Sequence, residues 1–342
     1  MNRKYNIVIF SNAAEWCYYC WRNYLSQHKE VTFYKYSFPI PFINRKVYIL
    51  LKYLFHPDKQ NRDKFYLSRF FLRLLMQFFV RISRKDNNII IMYDWNVLAT
   101  DEKFLNNIRK KYPHTLIAYV FTNVTRISGA NKWGLLSHLK NYYDAVYAFD
   151  KIDADNYGFS YLPLIYSREN TQEKIDNVEE IDVFYVGKAK DRLDIIHEIF
   201  EKCKSEGLKC DFNIINVPED KQLYKDEIHY NKLIPYKDVI SKIKKSKCLL
   251  DVIQGESTGL TIKVAESVVY NKKLITNNPN VLKEMKMEDF NVLLYDKQCD
   301  FKSFILSGRP CHKEEDINYF SPERFVGELV DLYNMKFPIG TL

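Results

Sequence analysis

IDVFYVGKAKDR, residues 181–192, is the stretch whose reading decides the fold. An apolar, β-rich run ends at Gly187, a basic turn follows, and residues 191–207 carry a helical pattern that stops at a glycine. A strand at 209–215 comes next. This strand–helix–strand unit opens in mid-chain, and the same alternation lies on both sides of it. Towards the amino end, strands are expected at 5–10, 31–36, 88–93, 115–121 and 145–149, with helices at 14–27 and 101–111. Towards the carboxyl end, helices are expected at 236–246, 260–270 and 322–333, with strands at 248–253, 273–276 and 291–295. Strands alternating with helices imply parallel sheets covered on both faces.

Between the two runs, residues 161–180 hold a proline, several charges and little periodicity. The expectation is therefore an α/β protein of two doubly wound, Rossmann-like domains facing a cleft. The amino domain would span 1–160, a linker 161–180, the carboxyl domain 181–320 and a closing helix 321–342. A length of 342 residues suits two domains. In such sheets ligands sit beyond the carboxyl ends of the strands, and a cleft between domains is a natural site.

Apolar residues at 46% and charged residues at 27% are the proportions of a folded globular chain, which excludes global disorder. Only 10 glycines are present, and no G-x-G-x-x-G follows any strand, which argues against a nicotinamide-dependent oxidoreductase. Aromatics reach 15%, a figure equally suited to a sugar-stacking surface or to the codon bias of an AT-rich genome. Seven cysteines, an odd number without framework spacing, fit a reducing cytoplasm. No signal peptide is read at the start, and no run of apolar residues is long enough to span a bilayer. Cys17 and Cys20 have the spacing of a thiol pair at a helix start, but equally that of two cysteines buried on one helix face.

The net charge of +8 is concentrated. Residues 42–85 hold eleven Lys or Arg against two Asp. Within them, 61–85 reads as an amphipathic helix, with Arg62, Arg69, Arg73, Arg81 and Arg84 near one line and Phe and Leu opposite. A core-packed helix with a solvated face is one reading. Peripheral attachment to the anionic inner leaflet of the plasma membrane is the other. No recognition motif accompanies the helix, so nucleic acid is not an expected partner.

The chemistry concentrates in the carboxyl half. Gly187, Lys188 and Arg192 lie where a strand gives way to a helix, a place where cations and backbone donors can meet a diphosphate. Residues 251–263 join the next strand to the next helix. There Glu256, Ser257, Thr258 and Thr261 supply polar groups, and Gly255 and Gly259 allow close approach of a ligand. With the helix starting near Leu260, Glu266 falls about two turns in and Lys263 one turn earlier. A carboxylate there can accept hydrogen bonds from ribose hydroxyls. It can also simply pair with Lys263.

The segment GLTIKVAESVVYNKKLITNNP (259–279) resembles the donor-binding segment of GT-B glycosyltransferases, most of all the bacterial enzymes of lipopolysaccharide and capsular polysaccharide assembly. DVFYVGKAKDR (182–192) is similar to their first carboxyl-domain strand and phosphate loop, and residues 143–166 to the segment that crosses between domains. The resemblance covers 143–279, and the first 140 residues match in layout alone. It implies Glu266 on the donor ribose, Lys188 or Arg192 on the diphosphate, and Gly259, Leu260 and Thr261 as backbone neighbours of the phosphates. Two departures stand out. Many retaining members have two Glu separated by seven residues, whereas Glu256 and Glu266 are separated by nine. A Gly-Gly turn after the first strand is replaced by Ser11-Asn12-Ala13-Ala14. Retention or inversion stays open.

The expected activity is transfer of a sugar from a nucleotide-diphosphate sugar to a glycan or lipid-linked acceptor, with the nucleotide-sugar as co-substrate and no further cofactor. Without an Asp-x-Asp motif, transfer is expected to be metal-independent, the leaving group being stabilised by side chains and a helix terminus. Asp94, beyond the third strand, is the first candidate base, with Glu15 second. Ser11, Asn12, Thr122 and Asn123 are candidates for the acceptor side. The rival reading from another class is a non-enzymatic adaptor docked by the basic helix.

Overall fold

The computed structural model describes residues 3–11, 15–34, 87–93, 102–126, 136–168, 181–285, 291–308 and 310–338. Asn12, Asp94 and the basic stretch 61–85 lie outside the described residues. Contacts divide the chain into two compact units, one of residues 1–18, 24–162 and 325–342, the other of 19–23 and 163–324. Among the described residues no helix is long and apolar enough to cross a membrane.

The first unit is built on a six-stranded, fully parallel sheet. Its strands are β1 (Tyr5–Phe10), β2 (Val31–Tyr34), β3 (Asn87–Tyr93), β4 (Thr115–Phe121), β5 (Ala145–Ala148) and β6 (Ser160–Tyr161), in the order β2-β1-β3-β4-β5-β6. Ile89, Ile90, Ile91 and Met92 are all fully buried. A run apolar on both faces is what a sheet covered by helices on each side requires. The helices are α1 (Glu15–Gln27), α2 (Glu102–Lys111), α3 (Leu139–Tyr142), α4 (Lys151–Tyr157) and, from the far end of the chain, α11 (Pro322–Lys336). On α11, Tyr333 is fully buried, meets the Tyr5 ring edge-on at 5.5 Å and donates to Asn87 Oδ1 at 3.1 Å. Cys17 and Cys20 are both buried in α1.

The second unit holds another six-stranded parallel sheet. Its strands are β7 (Ile181–Lys188), β8 (Cys210–Ile215), β9 (Ile228–Tyr230), β10 (Ser246–Asp251), β11 (Lys273–Thr276) and β12 (Val292–Leu294). The order is β12-β11-β10-β7-β8-β9. The chain starts in the middle, runs outward to β9, returns to the middle and runs outward the other way. This is the Rossmann order, and the reversal leaves a crevice between the carboxyl ends of β7 and β10. Its helices are α5 (Leu193–Ser205), α6 (Tyr236–Lys244), α7 (Ile262–Val269), α8 (Asn280–Met285), α9 (Phe301–Leu306) and α10 (Glu314–Tyr319).

Three details differ from the sequence reading. The two-residue β6 and three-residue β9 are too short to leave a periodic signal, yet each completes its sheet edge. Strand β10 begins and ends two residues earlier than expected, because Ser246 pairs with Ile181 and α6 stops at Lys244, whose carbonyl accepts from Lys272 Nζ at 2.8 Å. The expected linker starts inside β6 at Tyr161, and Leu162, Leu164, Ile165, Tyr166 and Ser167 are buried. Up to Arg168 this segment is packed chain; residues 169–180 lie outside the described set.

Candidate functional site

The crevice of the second sheet is walled by two loops. Residues 189–192 leave β7 and residues 252–261 leave β10. Arg192 ties them together: its Nη1 donates to the Val252 carbonyl and its Nη2 to the Lys188 carbonyl at 2.6 Å. Lys190 Nζ reaches Gln254 Oε1 at 2.5 Å. A Cβ on Gly255 would lie 2.8 Å from Asp191 Oδ2, so the Asp191 side chain from the β7 loop reaches the β10 loop. Lys190 sits at φ 49°, which brings its ammonium beside Lys188 and Arg192. Partial desolvation and these two like charges hold the Lys190 pKa below the ordinary lysine value. Lys188 is exposed. Asp191 opposes the Lys190 shift, and with Lys188, Lys190 and Arg192 against Asp191 and Glu256 the lip of the crevice is left net positive.

Beneath it lies Asp251, 2% exposed at the end of β10. Thr261 Oγ1 donates to its Oδ1 at 2.8 Å and Thr276 Oγ1 to its Oδ2 at 3.0 Å. Burial pushes the Asp251 carboxyl up, and these hydroxyls, with Arg192 and Lys263, partly offset that. Thr261 also caps α7, accepting from the Lys263 amide at 3.1 Å. The amides of Lys263, Val264 and Ala265 are all taken up by Thr261, and the amino end of α7, its positive dipole end, stands at the end of the β10 loop.

The loop after β11 braces the same structure. Asn277 Oδ1 accepts from the Ile253 amide at 2.8 Å, Asn278 Nδ2 donates to the Gly259 carbonyl at 3.0 Å, and Asn280 Nδ2 to the Thr258 carbonyl at 3.3 Å. Gly259, Leu260 and Ser257 are buried, whereas Glu256 is exposed on the turn. Under Gly187 lies the Tyr185 hydroxyl, 2.8 Å from where a Cβ would be. That hydroxyl is buried without a hydrogen-bond partner, as is Arg192 Nε. Burial pushes the Tyr185 phenol up to about 12, with Arg192 opposing.

Glu266 is fully buried in α7. Its Oε1 accepts from the Tyr236 hydroxyl at 2.5 Å and its Oε2 from Lys263 Nζ at 2.6 Å. The Tyr166 hydroxyl lies 3.3 Å from that of Tyr236 and 3.2 Å from that of Tyr270. Burial, then neighbouring acidic groups, raises the Tyr166 and Tyr236 phenols well above the ordinary range.

In the first unit, Ser11 follows β1, buried, its amide on the Tyr34 carbonyl at 3.0 Å and its Oγ without a partner. Thr122, buried, and Asn123, exposed, follow β4. Their loop is fixed from below, since Asp153 Oδ2 accepts from the Thr125 amide at 2.5 Å and Arg126 Nη1 bonds Asp150 at 2.7 Å and Asp153 at 2.8 Å. Both carboxylates are fully buried. Glu15 is exposed at the start of α1.

No protein-family profile and no curated protein sequence matches the chain. Solved structures do. An α-glucosyltransferase in complex with UDP and a DNA containing a HMU base is 11% identical at a TM-score of 0.55, over 97% of this chain and 100% of that one. The UDP-forming α,α-trehalose-phosphate synthase of Burkholderia vietnamiensis is 11% identical at 0.51, over 98% and 96%. The UDP-GlcNAc 2-epimerase of Methanocaldococcus jannaschii is 12% identical at 0.50, over 96% and 99%. The chain has the GT-B fold. At such identities the likeness speaks for the fold alone. In the GT-B frame, the crevice between β7 and β10 brings together Gly187, Lys188, Arg192, Thr258, Gly259 and Thr261, read from the sequence, with Lys190, Asp251, Asn277, Asn278, Asn280 and Tyr185, which the sequence reading does not assign to the site. The run Thr276-Asn277-Asn278-Pro279-Asn280 directly after a strand is the one signal that marks the bracing loop.

Proposed function

We propose that the chain transfers a sugar from a nucleotide-diphosphate sugar, with the donor diphosphate seated at the carboxyl ends of β7 and β10. The observation that carries this is the electropositive lip of Lys188 and Lys190 set against the Thr261-capped end of α7, at the reversal point of a Rossmann sheet. A departing diphosphate needs positive charge and oriented donors where its own charge grows. Lys188 and Lys190 supply both, backed by the positive dipole end of α7, so transfer proceeds without calling on a metal ion. Glu266 takes the ribose hydroxyls. Asp94 takes the acceptor proton, with Glu15 as the alternative base. Ser11, Asn12, Thr122 and Asn123 face the acceptor, a glycan or lipid-linked glycan of bacterial surface polysaccharide. The basic stretch 61–85 holds the enzyme to an anionic membrane surface.

A thermal-shift panel of UDP, GDP, CDP, ADP and dTDP tests the donor site, since a ligand that binds only the folded state raises the Tm. One of these should do so, and Lys188→Ala with Lys190→Ala should abolish the shift. A flat panel refutes the reading. Release of nucleoside diphosphate from the matching nucleotide-sugar, unaffected by EDTA and dependent on an acceptor, separates transfer from epimerisation.

A further inference from the structure

Glu266 as it stands has no open edge. It is fully buried, and each carboxylate oxygen already accepts a short bond. The Tyr236 hydroxyl has one proton, and the 2.5 Å contact to Glu266 Oε1 takes it. The Tyr166 hydroxyl stands 3.3 Å away as a second acceptor within reach of that proton, and the Tyr270 hydroxyl lies 3.2 Å beyond it. The chain Tyr270–Tyr166–Tyr236–Glu266 ends on the carboxylate, with Lys263 on its other oxygen. Tyr236, half-buried like Tyr270, is the first residue of α6. Before it runs the exposed segment 231–235, with Leu233 79% exposed and Asn231 at φ 56°.

We propose that the Tyr236 hydroxyl is an internal stand-in for a ligand hydroxyl, and that nucleotide binding proceeds by exchanging it on Glu266 Oε1. The proposal rests on the reading of Glu266 as the ribose acceptor. Two features make exchange feasible. Lys263 stays on Oε2, so the carboxylate keeps its charge partner throughout. The Tyr166 hydroxyl is already within reach of Tyr236, so the displaced phenol has an acceptor waiting and is not left unpaired in the interior. The ligand must bring a hydroxyl donor, 2′ or 3′, which makes the site selective for ribonucleotides over 2′,3′-dideoxyribonucleotides. The closed bond lowers apparent affinity by the fraction of time the site is plugged.

The test is titration calorimetry of wild type, Tyr236→Phe and Glu266→Gln with UDP, GDP, CDP and ADP and their 2′,3′-dideoxy counterparts. Thermal unfolding of each free variant establishes that it is folded. Exchange predicts that wild type prefers the ribo form, that Glu266→Gln weakens it about tenfold, and that Tyr236→Phe tightens it about five- to tenfold by removing one internal bond. If Tyr236→Phe instead weakens binding as Glu266→Gln does, Tyr236 merely positions the carboxylate; exchange is overturned and the ribose reading survives. If nucleotides bind but neither substitution nor the missing sugar hydroxyls matter, the ribose role falls and exchange with it. If none of the nucleotides binds wild type, the proposed function itself is refuted.

Discussion

The Lys263–Glu266 pair makes a sharp demand on energetics. Glu266 is fully buried and the Lys263 side chain is 11% exposed, with the ammonium 2.6 Å from the carboxylate. Removing one partner leaves the other charge buried and uncompensated, which costs about 3–5 kcal/mol. Lys263 retains some solvent contact and lies 5.9 Å from the centre of the Phe184 ring, so Glu266→Leu belongs at the lower end, about 3 kcal/mol. Replacing both, Lys263→Met with Glu266→Leu, removes the orphaned charge and should return to within about 1 kcal/mol of wild type. The protein has two units, so one unfolding curve is not a clean two-state measure. Hydrogen exchange of the α7 amides reads the local opening directly. At 1.4 kcal/mol per factor of ten, Glu266→Leu should speed their exchange by roughly two orders of magnitude, and the double variant by less than about tenfold. If the single variant changes exchange by less than about threefold, the pair is not acting as a buried ion pair, and the burial argument used for Glu266 throughout is wrong.

Other consequences are more local. Thr261→Ala removes both the α7 cap and a donor to buried Asp251, and should cost about 2 kcal/mol in urea denaturation, with Thr261→Ser recovering most of it. Asn278→Ala frees the Gly259 carbonyl in the interior and should cost about 1–3 kcal/mol; it should also weaken nucleotide binding at the crevice, measured by calorimetry. Acid should destabilise the second unit before its carboxylates titrate. Burial lowers the His197 and His312 pKa values, partly offset by Asp194 at the first and by the Lys272 carbonyl and Asp316 at the second. The unfolded chain binds protons at these residues near pH 6.5 and the folded chain resists, so this stability is present above about 6.5 and lost as pH falls below it. The urea midpoint should therefore drop between about pH 7 and pH 5.5, and a His197→Gln, His312→Gln variant should flatten that slope.

How much of this was legible in the sequence follows from where each signal arises. The long strands announce themselves because a parallel sheet covered on both faces needs uninterrupted apolar runs, and Ile89–Met92 and Leu116–Val120 can be little else. β6 and β9 could not be seen, being held by neighbours and not by their own two or three residues. The crevice loops were legible as loops because the apolar runs of β7 and β10 stop before them and Thr261 caps the helix that follows. What they bond was not. Asp251, Asn277 and Asn278 acquire their partners only once β10 and β11 lie side by side, 25 residues apart in sequence for Asp251 and Thr276.

The same point separates the two kinds of charge at the crevice. Arg192, Asp251, Lys263 and Glu266 all carry the residue types that chemistry at a diphosphate or ribose would use. In the folded chain Arg192 is committed to backbone carbonyls, Asp251 to two hydroxyls, and Lys263 and Glu266 to each other. A buried side chain so engaged meets a ligand most directly by exchanging a bond, and the cost of exchange is smallest where a second partner stands by. Glu266 meets that condition through Tyr236 and Tyr166. Arg192 does not, because its donors are what hold the β7 and β10 loops together. On the proposed reading, the first contact with a diphosphate falls to Lys188 and Lys190, which stand at the lip, and Arg192 acts by fixing the loop that presents them. Arg192→Lys should then impair nucleotide binding mainly by loosening the loop. Its signature would be faster hydrogen exchange at residues 187–192 and 252–256 in the free protein. Unchanged exchange there with lost affinity would mean that Arg192 touches the ligand itself.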